Sequence, residues 1–144
     1  MSRSYAIVGL GHRAYTFLHA LLGPHAADGR LVGLCDDNPG RLARAAAVAA
    51  DSHVRVPTYM AADFDRMVRE KSPDRVIVTV PDHAHCAYIV RGLELGADVI
   101  TEKPLTVDAV SCRRIVTAQQ ATGRSVTVAL NNAIHRRGPC SSRC

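Results

Sequence analysis

The chain has 144 residues, 47% hydrophobic, 22% charged and only 4% aromatic, which suits one domain with a core of its own and excludes a disordered polymer. The formal net charge is +5, but Arg136, Arg137 and Arg143 crowd the end of the chain, and without them it falls to +2. No basic stripe interleaved with aromatics occurs, so no nucleic-acid partner is expected. Apolar runs stay short of the roughly 18 residues that span a bilayer, and the N-terminus has no signal-like apolar region, so a cytoplasmic chain without membrane contact is expected.

In chain order, a strand is expected over 4–9, a helix over 12–23, a strand over 31–36 and a helix over 39–50. A short strand at 54–59 and a helix at 61–71 follow, then strand 75–80, helix 84–95, strand 97–101, helix 106–122 and strand 125–130. The strands are rich in Val, Ile and Leu without strict alternation, as strands buried on both faces are. Gly23-Pro24, Asn38-Pro39-Gly40, Ser72-Pro73, Gly96 and Gly123 punctuate the boundaries. Strand–helix alternation predicts an α/β fold, doubly wound around a mostly parallel six-stranded sheet. Its expected strand order is 3-2-1-4-5-6, the Rossmann arrangement, over residues 1–132, with 133–144 as an irregular tail.

The first strand runs into Gly9-Leu10-Gly11-His12-Arg13-Ala14, a Gly-x-Gly-x-x-Ala turn, and Asp36 follows at the end of the second. This is the pattern of a pyrophosphate cradle with a ribose hook. Gly9 permits the sharp turn, Gly11 lets backbone N–H groups of the Leu10–His12 stretch approach a phosphate, and Ala14 is small enough for the helix to pack against the strand. Arg13, in the first helical turn, either adds a charge-assisted phosphate contact or is a solvated surface residue. The competing reading of the whole motif is an ordinary glycine-rich strand-to-helix turn.

A carboxylate at Asp36 accepts hydrogen bonds from an adenosine ribose and repels a 2′-phosphate, which favours NAD over NADP. Arg41 tempers this, because a nearby guanidinium stacks on adenine or pairs with a 2′-phosphate; otherwise it is a surface residue of the next helix. Cys35, Cys86 and Cys112 lie in apolar patterns and read as small buried hydrophobes of a reducing compartment. His135, Cys140 and Cys144 match no zinc spacing, so no metal is expected.

The second half adds Pro81-Asp82-His83-Ala84-His85 after the fourth strand, Gly92 to Gly96, and Glu102-Lys103-Pro104-Leu105 after the fifth. With the glycine turn and Asp36, the chain resembles the glucose–fructose oxidoreductase, inositol dehydrogenase and rhizopine-catabolism (Gfo/Idh/MocA) family over about residues 4–131. The resemblance implies an NAD(P)-dependent oxidoreductase that moves a hydride between nicotinamide and a sugar or polyol. It implies that Lys103 is the catalytic-site lysine, that Glu102 contacts the nicotinamide ribose, that Pro104 follows a cis peptide bond, and that Pro81 and His85 wall the nicotinamide pocket. The plainer alternatives are a helix-capping His85 and an exposed loop charge at Lys103. Family members continue into a second, substrate-binding domain built on a large open sheet, which this sequence lacks. From 133 onward the chain departs from the family pattern, and with sixteen Arg against two Lys it suggests a truncated or out-of-frame end. The alternative function is therefore a non-catalytic NAD-binding module.

Overall fold

The computed structural model describes residues 3–103 and 108–129. Six strands, β1 (Arg3–Val8), β2 (Gly29–Asp36), β3 (Thr58–Met60), β4 (Arg75–Val78), β5 (Asp98–Glu102) and β6 (Val126–Ala129), form one sheet in the order β3-β2-β1-β4-β5-β6. All five pairings are parallel, as the expected architecture requires. The crossovers are α1 (Ala14–Leu22), α2 (Pro39–Asp51), α3 (Phe64–Lys71), α4 (His85–Glu94) and α5 (Ala109–Thr122).

Alternate strand residues feed two cores. Ala6 and Val8 of β1 and Val76 and Val78 of β4 pack with Met67, Val68, Ile89, Leu93 and Ile115 from α3, α4 and α5. Ile7 and Ile77 turn the other way, onto Phe17, Leu18, Leu21, Leu42 and Ala45 from α1 and α2. The order in which strands are added therefore reverses between β1 and β4, and ligands of such folds bind at the carboxyl ends of the strands beside that reversal.

Several boundaries differ from expectation. The first helix begins at Ala14 because residues 11–13 form a tight turn, with i→i−3 bonds from Ala14 to Gly11 and from Tyr15 to His12. β2 starts earlier, at Gly29, because Arg3 and Ser4 pair with Gly29 and Arg30. β3 shrinks to Thr58–Met60: it is an edge strand, and Pro57 before it has no N–H to donate. Helices α3 and α4 are each entered through a 3-10 turn, Ala61–Asp63 and Asp82–Ala84. The expected tail, its His135, Cys140 and Cys144, and Pro104 all lie outside the described residues. Cys35 and Cys86 are buried free thiols, and burial pushes the Cys35 thiol up to about 12. Cys112 is buried as well, as expected.

Candidate cofactor-binding site

The glycine turn has one structural and one unclaimed glycine. Gly9 has φ +87°, and a Cβ there would lie 2.6 Å from the carbonyl carbon of Thr79 and from the nitrogen of Val80. The β1 and β4 ends thus touch through backbone: the Thr79 N–H donates to the Val8 carbonyl at 2.9 Å, and the Thr79 hydroxyl to the Gly9 carbonyl at 2.6 Å. Gly11 is the opposite case. Among the described residues a Cβ at Gly11 would meet nothing within 4 Å, and its φ lies outside the left-handed region, so no contact among them requires glycine there. The missing side chain opens a cradle over backbone. Ala14 is fully buried beneath it, as the packing argument requires.

Unlike α2, capped by Asn38, and α5, capped by Asp108, α1 has no side-chain cap. The N–H groups of Gly11 and His12 precede the helical ladder and have no acceptor among the described residues. Such an end carries partial positive charge and suits an anion.

Asp36 ends β2 and is 4% exposed. Its Oδ2 accepts the Leu10 N–H at 2.6 Å and its Oδ1 the Asn38 N–H at 2.8 Å. Arg41 Nε lies 3.0 and 3.1 Å from the two oxygens, and Nη2 lies 2.9 Å from Oδ1 and 2.8 Å from Asp37 Oδ1. Burial pushes the Asp36 pKa upward, but the hydrogen bonds from Arg41, Leu10 and Asn38 outweigh it and hold the carboxyl below the usual range. Arg41 is more than a surface residue: it neutralises much of the charge that Asp36 would turn toward a ligand.

Two clefts run along this edge and share Arg13, Thr79, Val80 and Asp82. One, of about 470 Å³, extends from Asp36, Asp37 and Arg41 past Gly9–Arg13 to Pro81–Ala84 and Tyr88. The other, of about 400 Å³, is bounded by Arg13, His85, Glu102 and Lys103. The expected site residues thus line one trough, except Ala14, which lies under it. His85 is 1% exposed, and its Nε2 lies 2.8 Å from the Val80 carbonyl. A carbonyl only accepts, so Nε2 carries the proton, and the ring both fastens the β4–α4 loop and borders the cleft. Lys103 is exposed at the end of β5. Sequence reasoning missed Thr79, Asp82 and Tyr88; their position after the fourth strand was the available signal. No group of three or more potential metal ligands occurs among the described residues, and no described helix is long and apolar enough to cross a membrane.

An uncapped helix start above an open glycine, a buried carboxylate one strand away and a trough across the reversal point define a dinucleotide-binding α/β domain. Residues 3–130 match the profile of the Gfo/Idh/MocA oxidoreductase family with its NAD-binding Rossmann fold, and the chain belongs to that family. It is similar to inositol 2-dehydrogenase 1 of Saccharopolyspora erythraea, 33% identical over 129 residues that cover 90% of this chain and 36% of that protein. It is also similar to an inositol 2-dehydrogenase of Salmonella typhimurium, 30% identical over 125 residues, covering 86% of this chain and 35% of that one. Among solved structures, the WlbA dehydrogenase of Chromobacterium violaceum, in complex with NADH and UDP-GlcNAcA, superposes with a TM-score of 0.76 at 26% identity. That match covers 89% of this chain and 35% of the other. The chain spans about a third of the length of these relatives.

Proposed function

We propose that residues 1–132 form the NAD-binding domain of a sugar or polyol oxidoreductase. In this reading the pyrophosphate lies over Gly9, Leu10, Gly11 and His12 with Arg13 beside it, Asp36 and Arg41 hold the adenosine ribose, and Pro81, His85, Glu102 and Lys103 surround the nicotinamide. The single observation that carries it is Gly11, whose absent side chain serves no contact among the described residues and leaves an open cradle in the trough.

Asp36 can accept both ribose hydroxyls only if Arg41 yields part of its hold, since the carboxylate is already ringed by donors. NAD is favoured over NADP because the buried carboxylate repels a 2′-phosphate. Arg41 partly offsets that repulsion, so the preference is one of degree. Bound NAD supplies a two-electron hydride acceptor. The chain's part would be to hold a carbinol hydroxyl at Lys103, whose side chain, in its neutral amine form, would take the hydroxyl proton as the carbonyl forms. The resemblance supports this role for Lys103, as does its position on the Glu102 side of the trough.

A substrate-binding domain supplied beyond these residues would complete the wall opposite Lys103, and a cytoplasmic setting goes with the proposal. The second reading, a binding module without turnover, is favoured by the solvent exposure of Lys103, because hydride transfer needs an oriented substrate and excluded water. Calorimetry with NAD, NADH and NADP, followed by turnover assays with inositols and aldoses, tests both. We expect NAD to bind more tightly than NADP. Binding without turnover selects the module, and folded protein that binds neither cofactor overturns both readings.

A further inference from the structure

One polar group in the trough has no assigned task. Tyr88 lies on α4, one turn beyond His85, and lines the cleft at the end bounded by Asp36, Asp37 and Arg41. Its ring is fixed from behind: the buried Phe64 meets it edge-on, with centroids 5.1 Å apart and planes at 83°. Its hydroxyl makes no hydrogen bond among the described residues. Burial first, then the neighbouring Cys35, Asp37 and Asp36, raises the phenol pKa, so the group is protonated at neutral pH and both donates and accepts.

If Asp36 holds the adenosine ribose, the base attached to that ribose falls between the end of β2 and the loop after β4. Tyr88 is the phenol lining that part of the trough. A rigid ring with an unengaged hydroxyl is a means of reading a base: the ring offers apolar contact and the hydroxyl reads the polar edge. We propose that Tyr88 is the base-specificity residue of this site, its hydroxyl accepting a hydrogen bond from the 6-amino group of adenine. This rests on the dinucleotide reading above.

The test compares NAD with nicotinamide purine dinucleotide, in which a hydrogen replaces the 6-amino group, for wild type and Tyr88→Phe. The phenylalanine ring keeps the contact with Phe64, so the variant keeps its fold, which thermal unfolding checks. Wild type is expected to bind NAD about 5-fold more tightly than the purine analogue, the size of one hydrogen bond. In Tyr88→Phe the ratio should fall to about 1. An unchanged ratio in the variant, or no discrimination by wild type, overturns the role of Tyr88 and leaves cofactor binding standing. Wild type that binds neither dinucleotide overturns the underlying reading and this inference with it.

Discussion

The Leu10 N–H donates to Asp36 Oδ2 at 2.6 Å, joining the glycine turn to the end of β2 across twenty-six residues of sequence. In the proposed reading the same carboxylate therefore both shapes the phosphate cradle and faces the ribose. Its removal should be felt in both places.

Asp36→Ala leaves the Leu10 N–H without its acceptor in a buried setting, which should cost about 1–3 kcal/mol in denaturant unfolding. Calorimetry on the same variant should show NAD weakened more than NADP, because the ribose acceptor and the charge opposing a 2′-phosphate disappear together. Equal loss for both cofactors would mean that Asp36 does not read the ribose.

The two glycines of the turn should separate stability from binding. Gly9→Ala forces a Cβ to 2.6 Å from the Thr79–Val80 backbone at φ +87°, and a loss of about 3 kcal/mol or more, or failure to fold, is expected. Gly11→Ala meets open space, so unfolding should change by less than about 0.5 kcal/mol. NAD affinity of Gly11→Ala should nevertheless fall about 10-fold or more. Undiminished affinity would show that no phosphate approaches there.

Acid should destabilise the fold through its lowered carboxylates. Asp36 is held low against burial by Arg41, Leu10 and Asn38, and Asp74 by the Ser4 N–H at 2.8 Å and the Ser4 hydroxyl. A depressed folded-state pKa contributes stability that is fully present above the unfolded value near 4 and is lost as pH falls through the folded value. Unfolding free energy should therefore be level above about pH 5 and decline below about pH 4. Asp74→Asn should flatten part of that decline; an unaltered slope would remove Asp74 from the account.

Arg91 of α4 grips Asp65 of α3 through Nε at 3.0 Å from both oxygens and Nη2 at 2.7 Å from Oδ2. Both side chains are 38% exposed, so a double-mutant cycle should give a coupling below about 1 kcal/mol. Asp65→Ala should leave NAD affinity unchanged, since neither residue borders the trough. A change in affinity would reveal coupling from α3 into the site.

The order of elements, the sheet topology and most of the trough residues were readable from local patterns. Apolar runs separated by glycine and proline set strands and crossovers, and Gly9, Gly11, Asp36 and Glu102-Lys103 each fall where a strand ends. This works because buried parallel strands and helix starts impose composition on their own residues. Pairing is different, because the partner is remote in sequence. Gly29 and Arg30 are poor strand formers recruited by Arg3 and Ser4, and β3 keeps only the three residues that reach β2. Only the folded chain shows that Arg41 pairs with the Asp36 carboxylate, that Gly9 answers to Thr79 while Gly11 answers to nothing among the described residues, and that Tyr88 lines the trough. Those facts depend on distances between segments far apart in sequence, and local propensity carries no record of them.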